Sequence, residues 1–552
     1  MSLKHVNAVI VGAGAGGGVV AKELSVAGLS VVLLERGPWY TFDDHTDDEL
    51  LNQRTTVLGN AYGPDDERYR RLAMNPNGSW RIVLPSEGGY GNNAACVGSG
   101  TLSYGAMAWR FMPQDFRMRS IYGELEGSTL DDWPITYDDL EPCYEKAERE
   151  IGVAGDMREN PFAAPRKNDY PMPAFPYNRE ARLLEAAGKR LGLHPFPIPM
   201  ARNSVPYNGR PKCIHMRSCV GFACPINAKG GTQNTVIPIA LETGNCELRT
   251  ECVVSEVVID ERGRARGVRY FDKQDQPQYQ TADIVVVAAS ATETARLLLN
   301  SRSKLFPNGA GNNNDWVGRN LQGHAYCGTE GSLEEEIYDE AGPGACIAFS
   351  DFNHGNPGIR GGAAMCNEFI MLPYRFSQSR PPGAARWGPA HKDYQRRFYK
   401  RVTRVHCPVQ EMPVFENRVD VAPDVVDHWG IPVARISGGR HPHDIEIGEF
   451  IVDRCEELLK EAGAKHIHRR LPGKGVSGGQ HQAGTCRMGN DPKTSVTDRH
   501  GKVHETDNLF IADGSLMVTN GGFNPALTIL ALGYWVGGHI ASEWSGGGFR
   551  QG

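Results

Sequence analysis

Apolar positions along the first forty residues change period twice. Asn7 to Val11 is a short, nearly unbroken apolar run with β-branched residues, the mark of a buried strand. Val20, Leu24 and Ala27 then recur at helical spacing, and Ser30 to Leu34 reads as strand again. Gly12, Gly14 and Gly17 stand between the first strand and the helix in the order GxGxxG, and the second strand ends on Glu35, 23 residues after Gly12. The first glycine permits a tight turn, the second lets a pyrophosphate reach the backbone, and the third lets helix pack on strand. A carboxylate at the end of the second strand can accept both hydroxyls of a ribose. Gly12, Gly14, Ala15, Gly17, Glu35 and Arg36 are therefore candidate contacts of an ADP moiety.

The same reading continues downstream. Cys246 to Ile259 alternates as a strand, and Ala282 to Ser301 is an apolar strand running into a helix, predicting a parallel strand returned to the first sheet. Asp131 to Val153 has a Tyr-Asp-Asp cap and Leu140, Tyr144, Ala147 and Ile151 on one helical stripe. Between Cys327 and His468, short segments such as ACIAFSDF, RVTRVHCPVQEM and NRVDVAPDVV predict an antiparallel sheet, and Asp444 to Ala462 an amphipathic helix. Leu509 to Ile511 is a strand ending at Asp513-Gly514-Ser515, and Asn524-Pro525 opens a last helix with proline at its first position. That helix is interrupted by Gly533, Gly537, Gly538 and His539, which favours a buried helix over a membrane span. Asp43 to Asn77 is polar and weakly periodic, a surface excursion that serves as a lid or a long loop. Asp169 to Pro176 is a rigid proline-rich connection into a second domain.

Composition narrows the class. A chain of 552 residues exceeds one core, so two domains or one domain with large insertions are expected. With 40% hydrophobic and 22% charged residues it reads as an ordinary soluble globular protein, and 65 glycines and 35 prolines imply many ordered loops. A net charge of -6 without long like-charge runs predicts neither nucleic-acid nor membrane partners. Met1 to His5 is too short for a signal h-region, so a cytoplasmic location is expected. The 13 cysteines show no secreted disulfide framework. Three of them cluster, Cys213, Cys219 and Cys224. His406, His441 and His443 lack ligand spacing on one element and read as solvated or hydrogen-bonded histidines.

Gly88 to Phe116 is too rich in glycine and small residues to build its own core, but it can lay backbone N–H groups against a planar or phosphate-bearing ligand. Within it, VGSGTLSYGAMAWR, Val97 to Arg110, resembles the flavin-contacting signature of the glucose-methanol-choline (GMC) oxidoreductases. The resemblance is strongest over residues 6 to 38, 97 to 116 and 481 to 533, and segments from Trp109 to Pro176 look most like the bacterial gluconate and glucose dehydrogenase branch and its sugar-oxidising relatives. It implies an α/β fold: a Rossmann-like FAD-binding domain (1–165, 212–325 and 470–552) and a discontinuous α+β substrate-binding domain on an antiparallel sheet (166–211 and 326–469). It also implies FAD contacts at Gly98, Thr101, Ser103, Tyr104, Gly105, Val254, Ala289, Asp513, Gly514, Asn524 and Pro525. Ser103 stands where some relatives carry a flavin-linked histidine, so noncovalent FAD is expected. Ser290 replaces the glycine usual at its position. The cysteine stretch resembles the iron-sulfur segment of FAD glucose dehydrogenases but lacks an adjacent cysteine pair, so no metal is expected.

His481 and Asn524 stand at the positions of the family's catalytic pair. An imidazole suits removal of a hydroxyl proton while hydride leaves the same carbon for flavin N5, and an amide can hold the oxygen as it becomes a carbonyl. Free N–H groups at the last helix would stabilise negative charge on the reduced flavin. The expected function is oxidation of a sugar or glycoside ring hydroxyl to a ketone, with oxygen or a diffusible acceptor. The alternatives are an FAD-containing lyase on the same scaffold and a membrane-linked gluconate or glucose dehydrogenase subunit. Specificity is expected from residues 330 to 470, where no motif stands out.

Overall fold

The computed structural model describes residues 4–52, 61–75, 77–91, 94–158, 160–338, 342–381, 383–477, 479 and 481–549. The opening pattern becomes the centre of a seven-stranded sheet. Strands β1 (Val6–Val11), β2 (Val31–Leu34), β8 (Cys246–Arg249), the distal half of β11 (Pro277–Val287) and β19 (Leu509–Ile511) run parallel, while β9 (Val253–Ile259) and β10 (Ala265–Phe271) extend the β11 edge antiparallel. The central strands are buried apolar runs because helices cover the sheet. Each fully buried Val, Leu or Ile contributes roughly 1.5–3 kcal/mol, which makes these strands the main adhesive of the core. The returned strand is the expected one: Val9 to Val11 lie beside Val285 to Val287.

A second, wholly antiparallel sheet has the order β18 (Lys465–Arg470), β12 (His324–Ser332), β15 (Val402–Gln410), β14 (Met365–Asn367), β13 (Ile347–Phe349) and β7 (Pro195–Pro197). Helix Pro442–Glu461 covers it with Ile447, Ile451, Cys455 and Leu458, all buried, as its spacing predicts. Two short strands, β5 (Ala154–Gly155) and β6 (Met172–Pro173), pair in parallel nearby in sequence.

Three expectations are corrected. The excursion Asp43–Asn77, whose residues 53–60 and 76 lie outside the described residues, includes β3 (Arg71–Met74); β3 pairs with β4 (Trp80–Val83). Strand β17 (Pro432–Ser437) joins them in parallel, with β16 (Arg418–Val426) beyond it. NRVDVAPDVV thus belongs to a separate four-stranded sheet against helix Ala291–Asn300, not to the antiparallel sheet of its neighbours. Buried Arg71 anchors this sheet through Glu293 on that helix at 2.6 Å. Thr136, not the tyrosine after it, caps helix Tyr137–Ile151, paired with Asp139 in a reciprocal box. No described helix is long and apolar enough to cross a membrane.

Candidate active site

The parallel strands β1, β11 and β19 end together, at Gly12, Ala288 to Ser290 and Asp513, and the second sheet faces them across a cavity of about 510 Å³. Ligands of open α/β sheets bind beyond such strand ends. Of the sequence-predicted contacts, Gly12, Gly14, Ala15, Glu35, Arg36, Thr101, Tyr104, Gly105, Val254, Ala289, Asp513, Gly514, Asn524 and Pro525 line this one cavity, and so does His481. Gly17, Gly98 and Ser103 do not. A Cβ on Gly17 would sit 1.9 Å from the Gly12 carbonyl, so its role is helix-strand packing, as its place in GxGxxG predicts. Gly98 has φ +88°, and a Cβ there would meet Gln233 Oε1 at 2.4 Å. Ser103 is fully buried, and its hydroxyl has no hydrogen-bond partner among the described residues.

The glycine end of the cavity is built to take a dinucleotide. Gly12 adopts φ +100°, and a Cβ there would meet the Ala288 carbonyl at 2.4 Å, so only glycine makes the turn. Helix Ala15–Val26 starts on Gly14 with no side-chain cap and no acid in its first turn, which leaves its first N–H groups and positive dipole end for an anion. Glu35 is buried and accepts from the Ala13 and Gly37 N–H groups at 2.9 and 3.0 Å, retaining lone pairs for further donors. Burial pushes its carboxyl up against these bonds. Asp513 accepts from Thr294 at 2.6 Å and from the Ser290 N–H at 3.0 Å, tying the β19 end to the β11 end. Ser290 holds φ +77°, the conformation that explains why glycine would be at home there.

The other end carries the polar chemistry. Asn524 Oδ1 accepts from the Trp109 indole N–H at 3.0 Å. An indole only donates, so the amide is turned with its N–H₂ toward Tyr326 Oη at 3.0 Å and His481 Nε2 at 3.5 Å. Trp109 is itself set by the neighbouring Arg110, buried in a fork to Glu148 with both contacts at 2.8 Å and bonded to Glu141 and Tyr137 at 3.0 Å.

His481 is oriented by a residue the sequence reading missed. His324 Nδ1 lies 2.8 Å from His481 Nδ1, and His324 Nε2 lies 2.7 Å from the Gly521 carbonyl. The carbonyl only accepts, so His324 carries its proton on Nε2. Burial pushes His324 down to about 4, so it is neutral and its Nδ1 accepts. Neutral His481 must then donate from Nδ1, and its unprotonated nitrogen is Nε2, on the Asn524 side, while Tyr326 Oη lies against the ring at 3.2 Å from Nδ1 and 3.4 Å from Nε2. No motif marks His324 or Tyr326; the strand alternation of β12, which puts both on one face, was the available signal.

Cys213, Cys219 and Cys224 instead face a small separate cleft with Met216 and Ile226. Among the described residues, no three His, Cys, Asp or Glu groups converge to hold a metal ion.

Fold and site together define a dinucleotide-dependent oxidoreductase acting on alcohols. The chain belongs to the GMC oxidoreductase family, whose members depend on FAD: models of its N- and C-terminal parts match residues 128–326 and 413–533. It is 32% identical to 6'''-hydroxyparomomycin C oxidase of Streptomyces lividus, over 97% of this chain and 91% of that one. It is 31% identical to 2-methyl-1,2-propanediol dehydrogenase of Mycolicibacterium austroafricanum, over 99% and 96%. The fold matches pyridoxine 4-oxidase from Mesorbium loti with a TM-score of 0.62 at 17% identity, covering 97% of this chain and 98% of that one.

Proposed function

We propose that this protein oxidises a ring hydroxyl of a sugar or glycoside to a ketone, with noncovalently held FAD and with oxygen or a diffusible acceptor as the electron sink. The observation that carries the reading is the convergence of His481 Nε2, Asn524 Nδ2 and Tyr326 Oη at the end of the cavity opposite the glycine turn. FAD, when bound, supplies the hydride acceptor. Val254, Glu35 and the Gly12–Ala15 turn would hold its ADP portion, while Thr101, Tyr104, Gly105, Asp513, Gly514 and Pro525 would hold the remainder. The chain's own part is acid-base and positional. His481 Nε2 takes the hydroxyl proton, the Asn524 N–H₂ donates to the oxygen as it gains carbonyl character, and Tyr326 adds a second polar contact. The last helix, Ala526–Ser545, presents its unsatisfied N–H groups and positive dipole end to the same cavity.

The relative that oxidises 6'''-hydroxyparomomycin C supports a glycoside, and the diol dehydrogenase supports the attack on a CH–OH group. An FAD-containing lyase is the rival reading. Anaerobic mixing with a panel of monosaccharides and glycosides separates them: a substrate that is oxidised bleaches the flavin absorbance near neutral pH, whereas a lyase leaves it yellow with every compound.

A further inference from the structure

Beyond His481, the cavity wall is a single face of the second sheet. Tyr326, Gly328 and Glu330 alternate along β12; His406 and Arg470 flank Gly328 from the two neighbouring strands, and Arg404 stands opposite Glu330. Gly328 brings the row close against β15, because a Cβ there would meet the Val405 carbonyl at 2.2 Å. The row at Gly328 lies two residues beyond Tyr326, about 7 Å along the strand.

The charges on this wall do not cancel. Glu368 pairs with His406 at 2.8 Å and with Arg404 at 3.4 Å, and Arg404 pairs with Glu330 at 2.5 Å. Glu49 spends both carboxylate oxygens on the Tyr374 and Arg375 backbone N–H groups, at 2.9 and 2.8 Å. Two guanidinium groups are left over, Arg375 and Arg470. Both line the cavity, and among the described residues neither has an ion-pair partner. The outer rim adds to the excess: residues 376–401 carry seven further Lys and Arg against one acid, Asp393, although Arg401 pairs with Glu336 at 3.8 Å. Helix Gly388–Phe398 of that segment stacks Tyr394 on Phe376, beside Arg375, so the basic surface borders the mouth.

We propose that this outer part of the cavity is an anion subsite, so that the substrate is a sugar or glycoside bearing a carboxylate or phosphate, held by Arg375 and Arg470 while its hydroxyl faces His481. The identity of the held group as part of an oxidisable substrate rests on the proposed function; the subsite itself does not. Guanidinium groups match both anions in a fork, and a positive rim draws such ligands toward the cavity.

Isothermal titration calorimetry of the FAD-loaded protein with glucuronate, glucose 6-phosphate, glucose and glucosamine tests this without any turnover. At least one of the two anions is expected to bind ten-fold or more tightly than glucose, with glucosamine weakest, and the tighter anion names the group. R375Q and R470Q should each narrow that gap about ten-fold, R470K should restore most of it, and raised salt should weaken the anions selectively. Glucose or glucosamine binding as tightly as both anions, neither anion binding, or R375Q and R470Q leaving the gap intact would each overturn the proposal. An anion that binds in this way yet never bleaches the flavin leaves the subsite standing and removes the oxidation reading.

Discussion

One proton placement decides what His481 can do. Because the Gly521 carbonyl fixes the proton of His324, and neutral His324 fixes that of His481, the nitrogen of the proposed base is assigned by two hydrogen bonds at 2.7 and 2.8 Å. His324→Phe removes that control, and kcat is expected to fall 10- to 100-fold with flavin content unchanged, read by steady-state kinetics and flavin absorbance. The pH dependence has a definite sign. His324 lies near 4 in the fold against an ordinary 6.5, so its contribution to stability is full above 6.5 and is lost as pH falls toward 4, amounting to about 3 kcal/mol. Below that range a doubly protonated His324 donates from both nitrogens and competes with His481 Nδ1–H, so activity should fall with it. Asn524 is controlled in a parallel way by Trp109. Trp109→Phe frees the amide to flip, and kcat is expected to drop about ten-fold, as the loss of one neutral hydrogen bond allows. Both side chains proposed as catalytic could be picked out from the sequence because their neighbours, HQAGTCRMG and the Asn-Pro start of the last helix, are local. Their orienting partners were not, since Trp109 and His324 reach them across 415 and 157 residues.

Elements divide along the same line. The strand, glycine turn and helix at residues 6–38 announce themselves because every requirement is local: φ +100° at Gly12, a close approach at Gly17, an apolar run on each side. The ends of β12, β14, β15 and β18 do not, because what matters in them is which faces meet. His406 reads as a solvated or merely hydrogen-bonded histidine until β14 and β15 pair and bring Glu368 within 2.8 Å. Burial opposes protonation of His406, but the Glu368 charge overcomes it and raises His406 to about 10; burial likewise opposes charge on Glu368, and His406 and Arg404 pull it down to about 2. The His406 contribution is full below 6.5 and lost as pH rises through 10, and that of Glu368 is full above 4.5 and lost as pH falls through 2. The pair is thus at full strength between 4.5 and 6.5. Glu368→Gln removes the largest influence that raises His406 and leaves burial opposed only by Cys366, so histidine NMR titration should find His406 shifted far down from about 10. A value still near 10 would show that Glu368 is not the cause.

At the scale of the whole molecule, a nucleotide-binding sheet and an antiparallel sheet close on one cavity, and each contributes half of what oxidation needs. The first supplies a glycine turn and two helix N-termini; the second supplies the wall carrying Tyr326, His324 and the charged rows beyond them. Long-range pairing also explains the misassigned pieces. β3 and β4 look like surface because Met74, Trp80, Arg81 and Ile82 are exposed, and only the return of β17, far downstream, extends their hairpin into a larger sheet. The central claim is that His481 removes the proton as hydride departs. It is tested most directly by single-turnover anaerobic flavin reduction, wild type against His481→Ala, with whichever sugar bleaches the wild-type flavin. The expected result is bleaching in the wild type and a rate at least 100-fold lower in the variant at equal flavin content. Equal rates, or a wild-type flavin that stays oxidised with every sugar and glycoside, would contradict it.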